Sequence, residues 1–320
     1  MSIIFYILGN NIFPIFTIIV LGFALSKKFD LQLFTLSKIN FYLIIPSFVF
    51  VNLYTTNLDS SMLKVLLFSI LYLVGNGLLA QLIGKIRKYD IGMINAFKNS
   101  IMFNNTGNIG LSLVTLVFSS YPFLINGQTP YLEEATATMI MIMVFNNITT
   151  NTLGFYHAGR ATMDLKQSLQ QIFTMPAIYV IPLALFLKYL QIDVTTTFVW
   201  PALNYLKGAL VPMALLTLGV QLSKTQFNFK NKEVYISVFT RTIIGPIIAV
   251  LYIYLFKFTG VAAQTVLIGH SVPTAVNTAL IAVECNNHQD FAAQVVMVST
   301  IASAVTLTLV IYLARILFPV

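Results

Sequence analysis

Long apolar runs separated by short polar joints fill this chain, and few segments alternate apolar and polar residues as half-buried strands do. The pattern predicts helices near 4–25, 34–54, 64–84, 92–118, 133–156, 171–190, 198–222, 234–256, 262–284 and 290–316. Each approaches the roughly 20 residues that a helix needs to cross about 30 Å of hydrocarbon. Backbone within lipid must satisfy its own polar groups, which leaves helices or closed barrels. Runs of this length select helices. The expected fold is therefore an all-α membrane protein with ten transmembrane helices, and no joint between them is long enough to fold separately.

Composition strengthens this reading. Of the 320 residues, 58% are hydrophobic and 9% charged, against roughly 45–50% and 25% in soluble domains. The mean hydropathy of +0.84 fits a protein dissolved mostly in lipid. An ordinary cytosolic enzyme, a disordered chain and a nucleic-acid binder are excluded. The formal charge of +8 comes from 18 basic and 10 acidic residues scattered over short joints, which reads as cationic loops on one membrane face. Cys285 is the lone cysteine, so no internal disulfide or cysteine metal cluster is expected. No Lys or Arg precedes Ile3, and the chain stays apolar until Ser26-Lys27-Lys28. The first run thus reads as a permanent span and not as a cleaved signal.

Alternate joints differ in basic residues. One set holds Lys27, Lys28, Lys38, Lys85, Arg87, Lys88, Arg160, Lys166, Lys224, Lys230 and Lys232; the other holds Lys64, Lys188, Lys257 and Arg315. The positive-inside rule puts the first set in the cytoplasm and both termini outside a cytoplasmic (plasma) membrane. The joint at 157–169 separates a first five-helix repeat, 1–156, from a second, 170–320. An odd number of helices per half inverts the second relative to the first, a plan common in secondary transporters. Pro46 and Pro212 occupy matching depths in helices two and seven, and helices four and nine each carry a polar interruption, at Asn104–Ser112 and Ser271–Asn277.

Those interruptions carry the functional expectation of crossed, broken helices four and nine. Asn108 and Asn277 lie about fifteen residues into their helices, which places both in the middle portion of the membrane at 1.5 Å per residue. Pro273 removes a backbone donor, and Gly107 and Gly110 loosen the chain. A broken helix presents free amides at the start of its second segment, and these favour an anion. The cluster Phe103–Leu113 must face protein, water or ligand, because lipid would not tolerate it. Interhelical hydrogen bonding is the plainer alternative.

In the functional reading Asn104, Asn105, Asn108 and Asn277 bind a small organic anion, with Thr106 and Thr274 behind them. Asn146 and Asn147 either line the cavity or lock helix five onto helix four. Thr300 and Ser303 pose the same choice on helix ten. Lys98 and Arg241 read as cations snorkelling to headgroups, with attraction of an anion to the inner mouth as the alternative, and Lys207 lies deeper. His270, within a span and three residues before Pro273, is a candidate for proton coupling. No HExxH, phosphate-loop or GxSxG pattern occurs, and the trio Glu284, Cys285 and His288 lacks an evident supporting base. No catalytic residue, metal site or cofactor is expected.

At these residues the chain resembles the auxin efflux carrier family, whose bacterial members include malate and malonate permeases. The family's first crossover motif reads roughly N-T-G-N-[LI]-G-L-P-L, and Asn105-Thr106-Gly107-Asn108-Ile109-Gly110-Leu111-Ser112-Leu113 follows it. Its second, roughly P-x-A-V-N-x-x-x-x-A, is met by Pro273, Ala275, Val276, Asn277 and Ala282. Ser299, Thr300, Ser303 and Thr306 match an S-T-x-x-S-x-x-T pattern in the last helix. Ser112 departs from the family, which usually has proline there. The resemblance covers essentially the whole chain. It implies a scaffold domain, a transport domain moving elevator-fashion, a homodimer, and a small carboxylate such as malate as substrate. A sodium-coupled bile-acid-type symporter and a passive anion channel remain the alternatives.

Overall fold

A computed structural model describes residues 3–55, 61–159, 176–224 and 230–320. Among these residues the chain is helical, with no strand beyond isolated bridges. The helices are α1 (Ile3–Lys28), α2 (Leu33–Thr55), α3 (Ser61–Ile86), α4 (Ile91–Met102), α5 (Thr106–Phe118), α6 (Leu132–Thr149), α7 (Pro176–Tyr189), α8 (Val199–Gly208), α9 (Leu210–Ser223), α10 (Lys232–Leu255), α11 (Gly260–Ser271), α12 (Val276–Glu284) and α13 (Gln289–Leu317). After α6 the helical path continues through Thr150–Gly154 and Phe155–Ala158.

These ranges follow the predicted ones, with three splits. The predicted helix four is divided into α4 and α5, helix nine into α11 and α12, and helix seven bends by 45° between α8 and α9. By length and apolarity, five helices of the described residues can cross a membrane, or six if the bent pair counts as one. Arg160, Lys166 and most of the expected 157–169 joint lie outside the described residues, as does the start of the expected helix six.

Large apolar side chains face both ways. Phe68, Tyr72, Phe97, Phe103 and Phe118 are fully buried, while Phe5, Val20, Leu78, Leu251 and Val305 lie exposed on outward faces. Such an outer surface is a liability in water and the appropriate one in hydrocarbon. A close backbone approach joins α1 to α9. A Cβ on Gly219 would stand 2.0 Å from the Ile19 carbonyl oxygen, and one on Gly22 would stand 2.3 Å from that of Leu216. Only glycine permits this backbone approach.

Among the described residues, five helical paths contain a π-turn, at Leu8–Ile12, Asn40–Ile44, Thr106–Gly110, Thr150–Gly154 and Thr240–Ile244. The extra residue in each turn rotates polar side chains onto neighbouring helices. Asn11 Nδ2 donates to Ser120 Oγ at 2.9 Å, and Asn40 Nδ2 donates to Thr217 Oγ1 at 2.7 Å.

Outside the spans, Asp90 starts α4 by accepting from the Met93 amide at 2.8 Å, and His288 Nε2 lies 3.6 Å from the same carboxylate. The amide bond from Met93 chiefly, and the nearby His288, hold the Asp90 carboxyl below the usual carboxylate range. A carboxyl of this kind stabilises the fold above its unfolded pKa of about 4, and the contribution is lost as pH falls through the folded value. Asp90→Ala is expected to lower stability by about 1 kcal/mol near neutrality, the typical worth of a helix cap. Asp90→Asn keeps the cap and removes only the acid-side dependence. Melting curves between pH 3 and 7 check both outcomes.

Candidate functional site

The site is built where two helices stop. Beyond α4, Phe103 is extended at φ −107°, ψ 128°, and beyond α11, Val272 is extended at φ −63°, ψ 155°. The unwound stretches lie antiparallel. The Asn105 amide donates to the Pro273 carbonyl at 2.8 Å, the Ala275 amide donates to the Phe103 carbonyl at 2.9 Å, and Asn104 sits opposite Thr274. Each break thus satisfies backbone groups that the other would leave stranded in an apolar interior. Ser112 lies buried inside α5, downstream of the break. The first helix therefore opens without the family's proline.

Asn146, projecting from α6, meets both alternatives left open by the sequence: it lines the cavity and bonds the first break. Its Oδ1 accepts from the Asn104 amide at 3.1 Å, and its Nδ2 donates to the Asn104 carbonyl at 2.8 Å and to Thr106 Oγ1 at 3.2 Å. It holds the backbone of the first break in place. Thr274 is engaged in the same way on the other side. Its hydroxyl donates to the Ser100 carbonyl at 2.7 Å, and its amide donates to Ser299 Oγ at 3.2 Å. Thr274 therefore supports the crossover and does not line the pocket.

Arg241 corrects the sequence reading most sharply. Its side chain does not reach for headgroups: the residue is 0% exposed. The π-turn Thr240–Ile244 carries it into the crossover. Nε and Nη2 donate to the Val272 carbonyl at 3.0 and 2.8 Å, and Nη2 donates to the His270 carbonyl at 2.6 Å. Nη1 donates to the Ile101 carbonyl at 3.1 Å and to Tyr72 Oη at 3.3 Å. Tyr72 Oη in turn donates to the His270 carbonyl at 2.9 Å. One guanidinium thus caps the C-terminal ends of both α4 and α11, where two helix dipoles are negative. A lone arginine inside an apolar run is the signal that could have marked it.

On the other side of the ribbon, Asn104, Asn105, Thr106, Gly107, Asn108, Asn146, Asn147, Ala275, Val276 and Asn277 surround a cavity of about 20 Å³, with Thr150 added from the turn after α6. The structure therefore brings together both predicted motifs and the Asn146–Asn147 pair. Thr150, one helical turn beyond Asn146, is the residue that the sequence reading missed. The half-buried Asn108 and Asn277 side chains make no hydrogen bond among the described residues. Asn104 Oδ1 and Asn105 Nδ2 are buried and likewise without a partner. Gly110 lies beneath the pocket against Met139, and Pro273 contributes its carbonyl to the ribbon. Both α5 and α12 begin at the cavity. Of their first-turn amides, Thr106 donates to the Asn104 carbonyl at 2.8 Å, Ile109 to that of Asn105 at 3.2 Å and Thr278 to that of Ala275 at 3.1 Å, and the positive ends of both helix dipoles face the pocket. Among the described residues no acidic or basic side chain lines it.

His270 lies off the cavity. Its Nδ1 sits 2.9 Å from the Val266 carbonyl, and its ring meets Phe68 and Tyr72 with centroids 5.0 and 4.7 Å away. Among the described residues no group of three His, Cys, Asp or Glu could hold a metal ion.

A family model described as membrane transport protein matches residues 8–311. The chain belongs to that family. This is the auxin efflux carrier family to which the two motifs point. Curated relatives in the family include an uncharacterised transporter of Methanothermobacter thermautotrophicus, 24% identical over 280 residues covering 86% of this chain and 87% of that protein. Another is an uncharacterised transporter of Methanocaldococcus jannaschii, 26% identical over 251 residues covering 76% and 77%. This member of the membrane transport protein family is thus a membrane transporter.

Proposed function

We propose that the chain is a secondary transporter moving a small organic anion, a carboxylate such as malate, across the cytoplasmic membrane by elevator-like alternating access. Ten spans in two inverted five-helix repeats, with both termini outside, complete the reading, and a homodimer is its expected assembly. The arrangement of charge at the crossover carries it. Two helix N-termini and a set of amides converge on a pocket without acids. The two opposing C-termini are already neutralised by Arg241. What remains for a ligand is positive potential at two helix ends and asparagine amides that can turn their NH2 groups to it, which suits an anion. Neutral donors also release a carboxylate more readily than a fixed salt bridge would.

The same observation weighs against sodium coupling at this place. The carbonyls of Ile101, His270 and Val272, which could coordinate a cation, are engaged by the guanidinium. A cavity of about 20 Å³ has room for about one water molecule. A dicarboxylate therefore requires the pocket to open, as alternating access provides and a static pore does not.

The test is uptake of labelled malate and malonate into liposomes holding the purified protein, with and without sodium and a pH gradient. Saturable, counter-flow-accelerated and sodium-independent uptake is expected. Asn108→Ala and Asn277→Ala should each reduce it at least tenfold while leaving the melting temperature near that of the parent. Undiminished transport by both variants would remove the anion-site assignment. Accumulation that follows the pH gradient equally well in His270→Gln would remove proton coupling through His270.

A further inference from the structure

A second cavity, of about 390 Å³, lies between the C-terminal end of α2, the start of α6, the end of α8 and the segment joining α5 to α6. Thr136 on its wall and Asn146 at the crossover stand ten residues apart on α6, so the two cavities are about 15 Å apart along that helix. Its size falls in the range of small-molecule sites. Unlike the crossover pocket, it contains a full positive charge. The half-buried Lys207 ammonium makes no hydrogen bond or ion pair among the described residues. A partly desolvated cation left in that condition is unfavourable, and an anion would relieve it.

The surrounding donors suit the same ligand. Gln128 and Thr129 line the cavity with side chains that make no hydrogen bond among the described residues. Asn52 donates to the Phe48 carbonyl at 2.8 Å, leaving its second amide hydrogen available. The hydroxyls of Thr55 and Thr136 are already donated to helix carbonyls. One acid, Glu133, also lines the cavity and faces Lys207 electrostatically, but it is exposed and makes no ion pair with the lysine among the described residues. Water screens its charge far more than that of the deeper ammonium.

We propose that this cavity is a second binding site for a small carboxylate, anchored by Lys207 Nζ with Gln128 and Thr129 as neutral donors. The choice of a carboxylate rests on the reading of the chain as an organic-anion carrier. In that topology the site opens to the outer face and holds the anion about 15 Å before the crossover. It raises the local anion concentration there without a charge in the crossover pocket itself.

Calorimetric titration of the full chain with malonate tests the site without requiring transport. In an Asn108→Ala plus Asn277→Ala background, malonate binding is expected to persist. Adding Lys207→Gln should weaken it at least tenfold, whereas Lys207→Arg should stay within about threefold of the parent. Gln128→Ala plus Thr129→Ala, which leaves the lysine and the helix packing in place, should weaken binding about threefold if Lys207→Gln proves unstable. Binding undiminished by Lys207→Gln, or by the Gln128–Thr129 pair, would overturn the proposal, as would loss of all binding in the Asn108–Asn277 background. Failure of the parent protein to take up any carboxylate would instead count against the proposed function, so the two failures are distinct.

Discussion

Arg241→Gln is expected to destabilise the protein by about 3–5 kcal/mol, the range for removing one partner of a buried charged network. Five donor contacts disappear with the guanidinium. The Ile101 and Val272 carbonyls are then left unpartnered where no water reaches, each a penalty of about 1–3 kcal/mol. His270 keeps the bond from Tyr72, so the loss is smaller there. Two helix dipoles also lose their common counter-charge. Arg241→Lys should fall between, because an ammonium keeps the charge but cannot bridge two helix ends with a planar fork. Thermal melts of detergent-purified variants check the order. Partial recovery of Arg241→Gly on adding guanidinium ion would assign the effect to the missing group and not to a general defect. An Arg241→Gln protein melting with the parent would rule out this role.

Gly219→Ala should lower stability by about 3 kcal/mol, at the upper end of ordinary overpacking penalties. The obstruction is backbone: the new Cβ would meet the Ile19 carbonyl oxygen at 2.0 Å and the Phe23 amide nitrogen at 2.8 Å. No rotamer change relieves such a contact, so α1 and α9 must separate. Gly107→Ala provides the matched control, since nothing lies within 4 Å of its added Cβ. It should melt within about 0.5 kcal/mol of the parent, as substitutions away from such contacts usually do. Equal melting of the two variants would refute the close-approach argument.

Helix positions were legible because lipid imposes a length and a polarity on each span. The breaks were legible because Asn104–Asn108 and Pro273–Asn277 place amides and a proline where apolar residues belong. The role of Arg241 was not. Snorkelling and burial give the same one-dimensional pattern, and only the π-turn Thr240–Ile244 decides between them. π-turns have no period that composition reveals. Asn146 was ambiguous for a related reason. A side-chain amide can serve a ligand or a neighbouring backbone equally well, and the antiparallel geometry at Asn104 engages this one with the backbone while it still lines the cavity. Thr274 stands within the second motif, which puts it behind the ligand-binding asparagines, yet the Ser100 carbonyl on the other broken helix already takes its hydroxyl.

The hydrogen-bonded ribbon between Phe103–Asn105 and Pro273–Ala275 has a mechanical consequence. It yokes α4 and α5 to α11 and α12, so neither pair can travel without dragging the other. In the elevator-like movement proposed above, all four segments would travel as a single shuttle, with sliding confined to its outer walls.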